Sequence, residues 1–239
     1  MNAIKKLAKK ALAMFGIGIY RLESSQPLTA VAQGFIITSP IEANTEESDD
    51  KYYSDPEIVK AYLEPERLEF YEYVVNFLHE NGVDFNGKTV ADLGCGTGHL
   101  LLNIHKKFTP KSLTGMDHSK FGLDVGRSIL PNATFQYFDI YQKYDFQFEV
   151  IFCTEVLEHL LYPEQALKNM ITIISTCGVM LLTVPNGRTD TFLGHINFWS
   201  PESWDVFVKS VCNDLDIELE INTGLTTKNS NFAILKRNN

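Results

Sequence analysis

The sequence has no uninterrupted apolar run of 18 residues, so nothing in it reads as a membrane-spanning helix. Its four cysteines, Cys95, Cys153, Cys177 and Cys212, form no CxxC pair. That argues against a structural zinc site and for small buried hydrophobes in a reducing compartment. An excess of positive charge is missing too. Lys and Arg number 21 against 30 Asp and Glu, for a net charge of −9. A general binder of phosphate backbones needs a basic face, so this balance argues against DNA as a partner and makes RNA a poor one. Internal repeats and low-complexity tracts are absent. What remains is ordinary: 44% hydrophobic and 21% charged residues over 239 positions. That is enough for one well-cored domain with an extension.

The extension comes first. Ile4, Leu7, Ala8, Ala11, Leu12 and Phe15 recur at helical spacing over residues 2–15, with Lys5, Lys6, Lys9 and Lys10 off that face. This pattern predicts a basic amphipathic helix, suited to an anionic membrane surface or to packing on protein. A signal peptide fits poorly, because Gly16 and Gly18 interrupt the short apolar part and no small-residue cleavage site follows. Residues 29–38 predict an extra strand or hairpin arm. Residues 42–50 are polar and acidic and read as a linker. The expected division is therefore an extension over 1–50 and a catalytic domain over 51–239. In that domain Asp55-Pro56 predicts a helix start, with Asp at the N-cap and Pro in the first turn. The helical run continues to about Glu80, restarted at Pro65, with an apolar stripe of Leu68, Tyr71, Val75 and Leu78.

Thr89 to Leu93 then reads as a short buried strand, Gly94 to Gly98 as a tight turn, and Leu100, Leu101, Leu102 and Ile104 as the start of a helix. Strand, glycine turn and helix make a nucleotide-binding geometry. Glycine lets a ligand approach the backbone, and the helix start offers unpaired N–H groups. Strands and helices alternate from there. Strands are expected at 112–116, 133–138, 148–153, 178–184, 215–221 and 231–236, with helices near 119–129, 163–175 and 201–211. Near-continuous apolar strands between helices predict an α/β fold: a Rossmann-like, seven-stranded, mostly parallel sheet with helices on both faces, plus the N-terminal helical extension. In such a sheet ligands sit at the carboxyl ends of strands. The polar residues there are Asp92, Gly94, Asp117, Asp139, Thr154, Glu155 and Asn186. The turn lacks the third glycine in register that a dinucleotide fingerprint has, and no second substrate domain is evident.

Val90-Ala91-Asp92-Leu93-Gly94-Cys95-Gly96-Thr97-Gly98 resembles motif I of the class I S-adenosylmethionine (SAM)-dependent methyltransferases, and the resemblance extends over roughly residues 52–235. It implies SAM as cofactor, with Asp117 on the ribose hydroxyls and Asp139 on the adenine amino group beside Ile140. Gly94, Cys95, Gly96 and Gly98 would face the methionine end. Asp92 would hold loop amides or meet the ligand ammonium through water, and His118 and Glu155 would flank the cofactor. Helices before the first strand often cover the site in this family, which implies contacts from Tyr52 and Tyr53. Such an enzyme needs cytoplasmic cofactor, and the lysine-rich start would allow peripheral contact at the inner face of the membrane.

Glu155-Val156-Leu157-Glu158-His159 matches a Glu-x-x-Glu-His segment that, with a later histidine, holds a divalent cation in small-RNA 2′-O-methyltransferases and recurs in ubiquinone-pathway O-methyltransferases. Here the later residue would be His195. Two carboxylates and two imidazoles suit Mg²⁺, Mn²⁺ or Zn²⁺, giving Glu155, Glu158, His159 and His195 as expected ligands. Glu158, His159 and His195 are also the expected catalytic groups, with either histidine as a general base. The stretch Leu193 to Trp204 resembles methyltransferases of surface-glycan biosynthesis, with Phe198, Trp199 and Trp204 as flat surfaces for a sugar ring, or with the two tryptophans packed in the core instead. The expected reaction is O-methylation of a sugar, glycan intermediate or other small hydroxyl acceptor. The alternatives are metal-dependent RNA 2′-O-methylation and a non-catalytic SAM-binding regulator.

Overall fold

The structure is a computed structural model, and it describes residues 31–32, 35–36 and 44–239. The helix expected over 2–15, and its membrane contact, lie outside the described residues. The arm expected at 29–38 contributes two short antiparallel strands, β1 (Val31–Ala32) and β2 (Phe35–Ile36).

Helix α1 (Glu46–Tyr53) corrects the reading of 42–50 as a linker and runs across the boundary placed at residue 50. Thr45 caps it by accepting from the Ser48 amide at 3.2 Å. Glu46, Glu47 and Asp49 fill its first turn, where the macrodipole favours acids. Helices α2 (Pro56–Ala61) and α3 (Pro65–Glu80) follow as expected, each with proline in its first turn. On α3, Tyr71, Val74, Val75 and Leu78 are buried, while Leu68 faces solvent.

The remaining elements are β3 (Thr89–Leu93), α4 (His99–Lys107), β4 (Ser112–Asp117), α5 (Lys120–Ile129), β5 (Thr134–Tyr137), β6 (Phe148–Thr154), a 3₁₀ turn (Leu157–His159), α6 (Pro163–Thr172), β7 (Ile174–Pro185), α7 (Pro201–Asn213), β8 (Leu219–Asn222) and β9 (Ser230–Arg237). Strands β3 to β9 form one seven-stranded sheet, ordered β5-β4-β3-β6-β7-β9-β8. Its pairings are parallel from β5 through β7 and antiparallel at β9.

Alternate strand residues serve two cores, as a sheet covered on both faces requires. Val90, Val150, Phe152 and Leu181 pack with α3, α4 and α5. Ala91, Ile151, Cys153 and Leu182 pack with α6 and α7. Three of the four cysteines are buried, all four are free, and Cys177 is exposed. Strand order reverses between β3 and β6, which places a crevice over the carboxyl ends of β3, β4 and β6.

Candidate cofactor and catalytic site

The glycine turn is fastened to the end of β4. Gly94 and Cys95 both donate their amides to the Met116 carbonyl, at 2.8 and 3.0 Å. Gly96 donates to Asp117 Oδ2, and Ser119 donates to Asp117 Oδ1, each at 2.8 Å. Gly94 and Gly96 have φ of +73° and +49°, the left-handed region that favours glycine. A β-carbon on Gly94 would lie 2.4 Å from Val156 Cγ2, so the loop after β6 closes directly over the turn. Cys95 is buried in the turn, and burial pushes its thiol well above the usual range.

Two buried carboxylates stand behind this turn. Asp92 is 2% exposed and its Oδ1 has no hydrogen-bond partner among the described residues. Burial, with Asp117 nearby, pushes its carboxyl up to about 8. Asp117 is also raised by burial, against the two amides that favour its charged form. Each Asp117 oxygen spends one lone pair on an amide and keeps another. One strand further along, Asp139 accepts from the Tyr141 amide at 2.9 Å and from Gln142 Nε2 at 3.2 Å, with Ile140 half-buried beside it. Asn186, after β7, instead turns its own loop by accepting from the Arg188 amide.

Helix α1 lies against the segment after β4. Glu46 pairs with Lys120 at 2.9 Å. Asp49 pairs with His118 Nε2 at 2.5 Å, and Asp50 accepts from Ser119 Oγ at 2.8 Å and the Phe121 amide at 3.2 Å. The His118 ring thus ties α1 to the segment beside the glycine turn. At the other end of α1, a β-carbon on Gly96 would lie 2.8 Å from the Tyr53 hydroxyl. Tyr53 and Tyr62 share a hydroxyl hydrogen bond at 3.0 Å, and the Tyr62 ring stacks on His99. The Arg67 guanidinium lies 5.5 Å from the centre of the Tyr62 ring and acts electrostatically on Glu155. Sequence reasoning missed Arg67 and Tyr62. A signal was there: Arg67 is a cation in the first turn of α3, where the helix dipole disfavours one.

The second half of the site is the turn after β6. Glu155 has φ +55°, donates its amide to the Thr183 carbonyl at 3.0 Å, and accepts from Thr183 Oγ1 at 3.0 Å. Burial pushes its carboxyl up to about 7. Three residues on, Glu158 is fully buried, and neither carboxylate oxygen has a hydrogen-bond partner among the described residues. His159 Nε2 and His195 Nε2 each lie 3.8 Å from Glu158 Oε1. The two imidazoles meet nearly edge to face, 4.6 Å apart. The segment carrying His195 is tied to the 3₁₀ turn by Ile196 and Asn197 amides, which donate to the Glu158 carbonyl at 2.9 and 3.0 Å.

Burial pushes Glu158 well above the usual carboxylate range, with Glu155 adding repulsion. It pulls His159 down to about 4, helped by His195, and lowers His195 as well. One ligand atom from each of Glu158, His159 and His195 lies within 4.8 Å of the others. Glu155 is outside that group. This corrects the four-ligand expectation, because the Thr183 hydroxyl holds one Glu155 oxygen elsewhere.

Of the two readings of the tryptophans, the structure takes the core one. Trp204 is fully buried and donates from Nε1 to the Phe232 carbonyl at 3.0 Å, and Trp199 packs against it in the core. The exposed rings beside the histidines are Phe192 and Phe198, 4.8 and 6.4 Å from His195.

A mostly parallel seven-stranded sheet, with a glycine turn after one inner strand and carboxylates at the ends of the next two, is the class I SAM-dependent methyltransferase fold. The chain belongs to that family, since the family model described as "Methyltransferase domain" matches residues 65–210. It is similar to the tRNA U34 carboxymethyltransferase of Campylobacter concisus (strain 13826), with 30% identity over 51% of this chain and 43% of the relative. The trans-aconitate 2-methyltransferase of Escherichia coli O1:K1 / APEC shares 29% identity over 42% of this chain and 40% of that protein. The ubiquinone biosynthesis O-methyltransferase of Coxiella burnetii (strain Dugway 5J108-111) shares 29% over 48% and 50%. The chain thus spans half or less of the length of these relatives. Among solved structures, the N-methyltransferase NodS from Bradyrhizobium japonicum WM9, in complex with S-adenosyl-L-homocysteine (SAH), superposes with a TM-score of 0.60. Its identity is 16%, over 81% of this chain and 98% of NodS, which speaks for the fold.

Proposed function

We propose that the chain transfers methyl from SAM to a hydroxyl of a sugar, a glycan intermediate or another small acceptor. The observation that carries this reading is Glu158: a fully buried carboxylate whose oxygens have no hydrogen-bond partner among the described residues, facing two imidazole Nε2 atoms beside the cofactor crevice. A buried unpaired carboxylate costs several kcal/mol or takes up a proton, so it asks for a partner. A carboxylate and two neutral imidazoles fit a divalent cation such as Mn²⁺ or Zn²⁺, and Glu158, His159 and His195 would hold it. SAM would supply a methyl on a sulfonium sulfur, and a cation held by these three residues would supply positive charge that lowers the pKa of an acceptor hydroxyl.

The chain's own residues supply position. Gly94 and Gly96 let the backbone come close to the methionine end. Asp117 keeps a lone pair on each oxygen and would accept from the two ribose hydroxyls, and Asp139 with Ile140 would meet the adenine. Asp92 suits the ligand's ammonium, while Arg67 and the Tyr53 hydroxyl suit its carboxylate. Methyl transfer is an in-line displacement, so alignment of hydroxyl, methyl and sulfur provides much of the rate. Where no cation is held, the Nε2 of His159 or His195 is the group that would take the hydroxyl proton, a role that ligation of a cation by both rings would replace. The exposed rings of Phe192 and Phe198 offer flat faces to the C–H side of a sugar.

The test is SAH release with nucleotide-sugars, glycan intermediates and simple hydroxyl compounds, with and without a chelator. Turnover lost to the chelator and restored by one divalent ion supports the reading. SAM binding with no transfer to any hydroxyl acceptor would sink it. His195→Ala is expected to bind SAM normally and transfer slowly; unchanged turnover would remove His195 from the site. The same cluster, together with a relative that acts on tRNA, favours RNA 2′-O-methylation as a second reading. Tight RNA binding that weakens steeply with salt would promote it over small acceptors. Residues 2–15 would add contact with an anionic membrane surface, measured by co-sedimentation with anionic vesicles.

A further inference from the structure

Each histidine of the cluster uses its other ring nitrogen on a residue that the cofactor and acceptor roles leave unexplained. His159 Nδ1 lies 2.8 Å from Asn44 Oδ1. His195 Nδ1 lies 2.6 Å from Asp190 Oδ2. Asn44 precedes α1, whereas Asp190 lies in the segment after β7, so two remote parts of the chain converge on one pair of rings.

The hydrogen-bond chemistry fixes the direction of both contacts. Asn44 Nδ2 donates to the Gly194 carbonyl at 2.8 Å. A carbonyl only accepts, so the amide group of Asn44 must face Gly194 and its oxygen must face His159. That oxygen also only accepts, so the hydrogen of the His159 ring belongs on Nδ1. Asp190 behaves likewise. Its Oδ1 accepts from the Phe192 amide at 3.0 Å, and Oδ2 takes the His195 contact. The Asp190 side chain is only 7% exposed, which shields the contact from water. With hydrogen on both Nδ1 atoms, both Nε2 lone pairs are left directed at Glu158.

We propose that Asn44 and Asp190 are positioning residues that lock His159 and His195 in the Nδ1–H tautomer and so keep both Nε2 lone pairs on the Glu158 side. This rests on reading Glu158, His159 and His195 as the reaction centre. An outer carboxylate or carbonyl that orients a ligating imidazole typically matters ten- to hundredfold in metal affinity. The arrangement also makes the centre depend on the α1 segment. Asn44 is adjacent to the Thr45 cap, and the same helix grips His118 and Ser119 next to the cofactor turn. Docking of one short helix therefore sets a histidine of the centre and closes over the glycine turn together.

The experiment is nitrogen NMR of the histidine rings in full-length, metal-free protein labelled with ¹⁵N-histidine, followed by Co²⁺ titration of the same samples. In the wild type both rings are expected as Nδ1–H. Asn44→Leu is expected to move His159 toward Nε2–H and leave His195 in place. Asp190→Leu is expected to do the reverse, and Asp190→Asn, whose single oxygen is taken by the Phe192 amide so that its NH2 faces Nδ1, is likewise expected to move His195 to Nε2–H. Co²⁺ affinity is expected to fall about ten- to hundredfold in the two leucine variants. Either wild-type ring as Nε2–H overturns the proposal. So do folded leucine variants with unchanged tautomers. If a leucine variant does not fold, the wild-type tautomers and the Asp190→Asn spectrum still decide. A wild type with both rings as Nδ1–H and no affinity for Co²⁺ supports the lock and removes the cation from the proposed function.

Discussion

Asp117 and Gly96 are joined by one hydrogen bond, in which the turn's amide donates to Oδ2 at 2.8 Å. The carboxylate expected to read a ribose is therefore also a brace of the glycine turn. Asp117→Ala removes both jobs, whereas Glu155→Ala removes a group held by Thr183. Each hydrogen bond to a charged group is worth about 1.5–3 kcal/mol, so SAM affinity in the Asp117 variant should drop tenfold or more. The Glu155 variant should lose less. Calorimetry giving equal SAM affinity in wild type and Asp117→Ala would refute the ribose assignment.

Gly96→Ala should weaken SAM binding without unfolding the domain. The new β-carbon meets the Tyr53 hydroxyl at 2.8 Å, and φ of +49° strains any L side chain. Left-handed backbone costs roughly 1–2 kcal/mol for a residue with a β-carbon. Adding Tyr53→Phe removes the nearest oxygen and should recover part of the lost melting temperature. If the double variant is no more stable than Gly96→Ala alone, the tyrosine is not what crowds the turn.

Asp92 should tie SAM affinity to pH. Burial, followed by repulsion from Asp117, holds its carboxyl up at about 8, so the empty site keeps it protonated at neutral pH. A cationic ligand favours the ionised form, and binding must then release a proton. SAM affinity should therefore rise as pH climbs from about 6 to about 8. Calorimetry in buffers of different ionisation enthalpy would detect the proton. Asp92→Asn should bind more weakly and lose the slope; the same slope in both proteins would assign the proton to another group.

The clasp on α1 should weaken as pH rises. Burial pulls the His118 imidazole down, but its hydrogen bond to Asp49 and the surrounding acids raise it overall above its usual value. A raised pKa in the folded state means that the stabilisation is complete below the unfolded value of about 6.5 and is lost as pH rises through the folded value. Wild type should melt above His118→Asn at about pH 6, and the gap should close in mildly alkaline buffer. A gap that is constant with pH would show the pair contributes without charge.

These residues also show what a sequence can and cannot disclose. Thr89–Leu93 was legible to the residue, because a buried parallel strand is a continuous apolar run bounded by a glycine turn. Asp117 and Asp139 followed from topology, which fixes where strand ends lie. Helix α1 was read as a linker because Glu46 to Asp50 carries no apolar period. Its stability comes from a cap and from partners some seventy residues away, such as His118, at a sequence separation of 69. Asn44 was missed for the same reason, its bond to His159 spanning 115 positions. The tryptophans stayed open between core and surface because aromatic content says nothing about which face a ring turns to. The expected Glu-x-x-Glu-His spacing put both acids near the histidines, but the positive φ at Glu155 and the Thr183 hydroxyl draw one of them away.

Strand β9 pairs with β7 along Val179 to Pro185 and separates it from β8. It is the last strand of the sheet to leave a ribosome, yet it takes an inner place there. Until residues 230–237 emerge, β7 keeps a raw apolar edge that includes Met180, Leu181 and Leu182, open to pairing with any passing strand. The nascent chain is thus most prone to aggregation after β7 has emerged and before this segment follows it, and a chaperone would be of most use in that interval.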